Sequence, residues 1–180
     1  VLLSRPTSEE TVRLAQEYAL DETCYPVKLV NGHVSDLIAR KVDYVFFPDL
    51  FTVRHESSRA RRNYGCAYMQ IAFRLVRQAM DLKGRGIGLL APTIAHSLGP
   101  QFMRESFMQI GRQLGASDQA AGLALARAME SYRAFEVRRG EHARETLASL
   151  DAGKKTFVLV SKIYGVADQA LHMGIPGRLM

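Results

Sequence analysis

The chain of 180 residues has no tryptophan and only two cysteines. Two cysteines cannot form the disulfide framework of a small secreted protein, so we treat Cys24 and Cys66 as free thiols. No apolar run approaches the roughly 18 residues of a membrane-spanning helix, and the first residues lack the pattern of a signal peptide. We therefore predict a soluble, cytoplasmic protein. Because the chain starts at a valine and ends just after a strand-like run, we interpret it as a piece of a longer protein.

The common nucleotide-binding and nucleophile motifs are also missing. No Walker A sequence occurs, and the glycine series at 84–88 (GRGIG) precedes a predicted strand instead of following one, which excludes a dinucleotide fingerprint. His96 and Ser97 are adjacent in sequence, so their side chains cannot face each other as a base and a nucleophile must. We predict that Ser97 caps a helix instead.

Basic residues exceed acidic ones, 24 to 18, giving a net charge of +6. This balance suits a phosphate-bearing ligand and equally suits a merely basic surface. Arginines concentrate in one loop, where guanidinium groups could bind the phosphates of coenzyme A. The candidates are Arg59, Arg61 and Arg62. Aromatic residues that would stack on bases are sparse there, so we do not expect nucleic-acid binding.

Strand-like and helix-like segments alternate along the chain, which predicts a mainly parallel sheet in an α/β, Rossmann-like, three-layer domain. Residues 1–153 would form a domain carrying both cysteines, and 154–180 would start a following lobe or complete the same domain. We predict strands at 1–3, 42–47, 86–90 and 155–160, the second stopped by Pro48 and followed by a loop at 49–65. The first helix is predicted to end near Leu20, and others to start near Pro26, Cys66, Ser97 and Asp168. A long helix is predicted to start at Ser117, with a break or a bend at Gly140.

Both cysteines stand at or just before a predicted helix N-terminus, where the helix dipole favours a thiolate. Ligands in open α/β sheets collect at the carboxyl ends of the strands, so the two thiols could reach one edge. Their spacing matches no zinc-finger or ferredoxin signature, and two ordinary buried thiols are the alternative. His33 lies beside an apolar helical stripe and is either a hydrogen-bonded, partly buried histidine or a metal-binding or catalytic residue.

Several of these segments together resemble a known family. They are 21–28 (DETCYPVK), 32–34 (GHV), the strand at 42–48 and the later Cys66. The chain resembles the 2-hydroxyacyl-CoA dehydratase superfamily, most closely the uncharacterised domain associated with CoA-substrate-specific enzyme activases. Residues 158–164 and 175–176 are similar to the start of that family's next Rossmann-like lobe.

The resemblance implies a 4Fe-4S protein with Cys24 and Cys66 as cluster ligands. Tyr25, Pro26, Lys28 and His33 would surround and orient Cys24. An ATP-hydrolysing activase would supply one electron for the removal of water from a 2-hydroxyacyl-CoA. The chain departs from the pattern in having Ala67 after Cys66 where proline is expected. Since two thiolates are fewer than such a cluster takes, other ligands would come from elsewhere, and the isolated piece would bind a cluster poorly.

Two alternatives to a cluster protein stay open. The chain could be a non-catalytic module that docks an activase or a dehydratase subunit, with structural cysteines. It could also be a CoA-binding domain without a cluster. The expected partners are thus an ATP-dependent activase, a dehydratase subunit, or a second copy in a homo-oligomer.

Overall fold

The computed structural model describes residues 1–53, 59 and 63–179. Within them, helices α1 and α2 precede the first strand, and a second helix-strand unit and a helical C-terminal part follow. The elements are α1 (Glu9–Gln16), α2 (Tyr25–Ala39), β1 (Tyr44–Phe46), β2 (Asp49–Thr52), α3 (Ala67–Ala79), β3 (Gly88–Leu90), β4 (Thr93–Ala95), a 3-10 turn (His96–Leu98), α4 (Gly99–Gln113), α5 (Asp118–Ala148), α6 (Tyr164–Ala167), α7 (Gln169–His172) and α8 (Ile175–Leu179).

The four short strands form one parallel ribbon interrupted by prolines. β1 pairs with β3 and β2 pairs with β4. The residue offset between partners is the same from Tyr44–Gly88 to Leu50–Ile94 and shifts by one residue at Thr52–Ala95. Across it, the Phe47 amide donates to the Leu90 carbonyl at 2.9 Å and the Asp49 amide to the Pro92 carbonyl at 3.0 Å. The prediction that the first strand stops at Pro48 is confirmed, because β1 ends at Phe46. The loop predicted at 49–65 is wrong at its start, because β2 occupies Asp49–Thr52. Proline removes only its own N–H from the ladder, and pairing resumes at the next residue.

The core lies between this ribbon and helices α2 and α3. Its buried members are Val34, Val45, Val76, Met80 and Leu82. α1 crosses α2 at Gly32, where a Cβ atom would lie 2.0 Å from the Thr11 carbonyl oxygen. Only glycine allows this close approach, so the absence of a side chain at Gly32 lets α1 pack directly against α2.

The last two helices before residue 150 differ strongly in their packing. α4 contacts α5 near their connection, but Ala121 is the one described residue of α5 that is buried. The Ser117 side chain accepts from the Ala120 amide at 3.2 Å, as its predicted capping role requires. A break at Gly140 is wrong, because α5 continues through it to Ala148, and a bend there stays a prediction. Glycine lowers helix stability without removing a backbone hydrogen bond.

Two predicted strands are absent from the described residues. Residues 1–3 and 155–160 pair with no other strand, and Val158 and Val160 are among the most exposed apolar side chains, at 80% and 93%. An extended segment needs a neighbouring strand for its backbone hydrogen bonds, and neither segment has one here. The predicted helix near Asp168 is present as α7, and the first predicted helix ends at Gln16, four residues early.

The fold is therefore a mixed α/β arrangement with parallel strand pairing, as the sequence predicts. The finer expectation of a three-layer Rossmann-like domain, and the division at residue 153, stay predictions. None of the helices in the described ranges is both long enough and apolar enough to span a membrane.

Candidate functional site

Each cysteine stands at the N-cap of a helix in nearly the same backbone conformation. Cys24 precedes α2 with φ −66° and ψ 147°, and Cys66 precedes α3 with φ −61° and ψ 127°. Neither side chain makes a capping hydrogen bond, and both thiols are free. Cys24 is exposed and Cys66 is half-buried. The prediction that both stand at helix N-termini is confirmed.

The two cysteines occupy equivalent places in two successive structural units. Cys24 starts the unit α2–β1, and Cys66 starts the unit α3–β3. The strands of the two units are parallel neighbours, with Tyr44 opposite Gly88. Both helices also contact each other. The sequence predicts the helix and the strand that follow each cysteine, and the structure adds that the two units pack side by side.

The turn that carries Cys24 is held by the residues after it. The Cys24 carbonyl accepts from the Val27 amide at 2.9 Å, and the Lys28 ammonium donates to the Asp21 carbonyl at 2.8 Å. Pro26 lies in the first turn of α2, where its missing N–H costs no hydrogen bond. Asp21, Tyr25 and Lys28 line a cavity of about 340 Å³ against α1. On the other flank, Thr23 lines an apolar cavity of about 180 Å³ with the second half of α3.

His33 has a hydrogen-bonding environment of its own. Its Nε2 atom lies 3.2 Å from the Thr7 hydroxyl, which also donates to the Asp168 carboxylate. Its Nδ1 atom is buried and has no hydrogen-bond partner among the described residues. His33 follows Cys24 by about two and a half helical turns, roughly 13 Å along the axis. The predicted role of His33 beside Cys24 stays a prediction, and its ring contacts Thr7, which lies just before the N-cap of α1.

Burial raises the pKa of Asp168, but its hydrogen bonds outweigh this effect. Thr7 and the amides of Leu171 and Ala170 donate to the carboxylate, and His33 adds a favourable charge, so the net pKa is lowered. Asp168 is thereby both the N-cap of α7 and its attachment to the N-terminal part of the chain.

The arginine loop is closed at its base by pairing of its two ends. The Val53 amide donates to the Asn63 carbonyl at 2.9 Å, and the Gly65 amide donates to the Phe51 carbonyl at 2.9 Å. Phe51 and Tyr64 pack edge to face with their centroids 5.5 Å apart. Of the three candidate phosphate contacts, Arg59 is exposed, whereas Arg61 and Arg62 lie outside the described residues. The coenzyme A contact stays a prediction.

At the end of the ribbon, the buried Thr52 pairs with the exposed Ser97, for which the sequence predicts a different role. The Ser97 hydroxyl lies 3.0 Å from the Thr52 hydroxyl, and the Ser97 amide donates to that hydroxyl at 3.1 Å. The predicted capping role of Ser97 is therefore wrong: α4 has Leu98 at its N-cap and no side-chain capping bond. Thr52 needs this partner because it is almost fully buried.

Asp49 is a second buried group that the sequence did not reveal. It is 7% exposed, and its Oδ1 atom has no hydrogen-bond partner in the described part of the chain. The Thr93 hydroxyl donates to Oδ2 at 3.4 Å. Burial raises the pKa of Asp49, and Thr93 and the charge of Arg74 oppose the shift.

The donor set of the two cysteines can be compared with the needs of an iron–sulfur cluster. Thiols are the ligand type that iron–sulfur clusters take, but a 4Fe-4S cluster usually has four of them. In the ranges 1–53 and 63–179, no group of three or more His, Cys, Asp or Glu side chains could hold a metal ion. The described residues therefore do not complete a cluster site, and we derive no reaction step through one.

Comparison with known proteins assigns the chain to a family. The sequence model of the CoA enzyme activase uncharacterised domain matches residues 1–180. The chain belongs to this family. Its membership confirms the association with CoA enzyme activases that residues 21–28, 32–34 and 42–48 indicate. No curated protein and no solved structure matches the chain.

Proposed function

We propose that this CoA enzyme activase domain contributes Cys24 and Cys66 as thiolate ligands to a 4Fe-4S cluster whose other ligands come from outside the described residues. The observation that supports the proposal is the equivalence of the two thiols. Both are free, both stand at a helix N-cap, and their helices lead into neighbouring parallel strands.

The chain's own residues would prepare the ligands. The positive end of each helix dipole favours a negatively charged sulfur atom at the N-cap. Lys28 and Pro26 fix the turn that presents Cys24. A bound cluster would supply one-electron transfer, which the resemblance to dehydratases links to ATP-driven dehydration of a 2-hydroxyacyl-CoA. An ATP-dependent activase or a dehydratase subunit would be the partner.

Iron and acid-labile sulfide analysis of the anaerobically purified full-length protein tests this proposal. We expect a cluster in the parent protein and an EPR signal after reduction. Cys24→Ser and Cys66→Ser should each lose at least half of the iron. Thr23→Ser is the matched control, because it changes the neighbour of Cys24 and preserves the hydroxyl that donates to the Leu20 carbonyl. Retention of the parent's iron content in both cysteine variants would overturn the ligand assignment.

A second candidate function is a docking module without a cluster. It is favoured by an exposed apolar stripe on α5, where Met129, Tyr132 and Phe135 recur every three residues and are 44%, 56% and 52% exposed. Exposed apolar surface that is contiguous marks interaction sites. The same experiment separates the candidates: a fully folded protein that lacks iron would favour docking of an activase or a dehydratase.

A further inference from the structure

A cavity of about 600 Å³ lies between α4 and α5, beyond the end of β4. Met103 and Phe107 of α4 and Leu125 and Met129 of α5 form apolar walls. His96, the first residue after β4, lies at the same cavity. Ligands of α/β proteins bind where parallel strands end, and typical ligand pockets measure about 300–1,000 Å³. The position and size of this cavity are thus those of a small-molecule site.

A hydrogen bond on one side and a glycine on the other shape the cavity. The Ala95 amide, at the end of β4, donates to the Met103 sulfur at 3.1 Å and thereby attaches α4 to the strand. On the opposite helix, Gly122 has no side chain, and a Cβ atom there would be 3.7 Å from the Arg104 Nη2 atom. The guanidinium group of Arg104 therefore lies near Gly122, within van der Waals reach of a Cβ atom at that position, in a space lined mostly by apolar side chains.

The charge of Arg104 distinguishes it from its neighbour on α4. Arg112 forms ion pairs with Glu105 and with Asp118, the latter at 2.8 Å. Arg104 makes no ion pair within 4 Å in the described part of the chain, although Asp118 lies within its electrostatic influence. Since the Asp118 carboxylate is bound by Arg112, the donors of Arg104 remain available to an anion.

We propose that the cavity between α4 and α5 binds an organic carboxylate with an apolar chain. The carboxylate would pair with the guanidinium group of Arg104, and the chain would lie among Met103, Phe107, Leu125 and Met129. Charge complementarity supports this occupant, because a wholly apolar ligand would leave Arg104 unused and a compact anion would leave the apolar walls exposed to water. The proposal does not depend on the cysteines or on a cluster.

Calorimetric titration of the protein with octanoate and with 1-octanol tests the proposal. We expect octanoate to bind more tightly than the alcohol. Arg104→Gln should weaken octanoate binding by about ten- to a hundredfold and leave the alcohol unchanged, because it removes a charged hydrogen bond. Arg133→Gln, on the exposed outer part of α5, is the matched control. Gly122→Leu should narrow the cavity next to Arg104 and weaken the binding of both compounds, whereas Gly122→Ala should be tolerated.

Other results would overturn the proposal. Equal affinities for octanoate and octanol in the parent protein would mean that Arg104 does not recognise the head group. Absence of octanoate binding would mean that the cavity is not a carboxylate site. If the protein also dimerised in sedimentation experiments and Gly122→Leu abolished the dimer, the occupant would be a second copy of the chain. Circular dichroism identifies any variant that fails to fold, and Arg104→Gln then decides the question, because its side chain is exposed.

Discussion

At the scale of single residues, the buried carboxyl group of Asp49 should make the stability of the protein depend on pH. Its folded-state pKa is raised, chiefly by burial, so ionisation opposes folding, and stability is lost as the pH rises through that pKa. We expect Asp49→Asn to stabilise the protein at pH 7 by about 1 kcal/mol, because the neutral amide avoids the cost of a buried charge. At pH 3, where the parent carboxyl is protonated, the gain should vanish. Urea unfolding at both pH values measures the effect.

The control for this prediction is Asp43→Asn, the same substitution at an exposed position just before β1. It should change stability by less than about 0.5 kcal/mol at either pH. A stabilisation by Asp49→Asn that is equally large at pH 3 would mean that the charge of the carboxylate is not the cause.

Residue-level prediction from the sequence succeeded where the chemistry is local. The positions of Cys24, Cys66 and Ser117 at helix N-caps follow from short-range signals such as Pro26 and a capping hydroxyl. It failed for Ser97 and for Asp49, because their partners Thr52 and Thr93 are more than 40 positions away and are set by strand register. No local pattern contains that register.

At the scale of the elements, glycines in two helices should respond in opposite ways to alanine. Gly32→Ala places a Cβ atom against the Thr11 carbonyl where α1 crosses α2, so we expect a loss of about 1–3 kcal/mol. Gly140 of α5 faces open space, with only the flexible end of Arg144 at 3.8 Å, so Gly140→Ala should add up to about 1 kcal/mol. Urea unfolding of the two variants measures both effects, and each is the control for the other. A neutral Gly32→Ala would contradict the close helix crossing.

Strands are harder to predict from the sequence than helices, because a strand forms only where a neighbouring strand pairs with it. The apolar run at 42–47 became a strand because residues 88–90 provide a parallel neighbour. The run at 155–160 has an equally strand-like composition, yet it is exposed and unpaired in the described residues. Composition alone cannot distinguish these two cases, because strand formation depends on an edge supplied from elsewhere. Helices satisfy their own hydrogen bonds, which explains why α2 to α5 were located correctly.

At the scale of the whole molecule, the hydrogen bond between Thr7 and Asp168 joins the two ends of the chain. The pKa of Asp168 is lowered in the folded state. The ionised carboxylate therefore stabilises the docking of α7 at any pH above the unfolded-state pKa of about 3.9. This stabilisation is lost as the pH falls through the folded-state pKa. We expect the Ala170 and Leu171 amides, which donate to Asp168, to lose protection from hydrogen exchange below about pH 4.

The exchange experiment has a variant that separates the two functions of Asp168. Thr7→Val removes the attachment to the N-terminal part of the chain and leaves the capping of α7 intact. We expect this variant to show weak protection at pH 6, about tenfold below the parent, because a charged hydrogen bond contributes about 1.5 kcal/mol or more. Asp168→Asn should weaken protection similarly and abolish its dependence on pH. If Thr7→Val retained the protection of the parent, the C-terminal helices would be held by apolar contacts of Leu171 and not by this hydrogen bond.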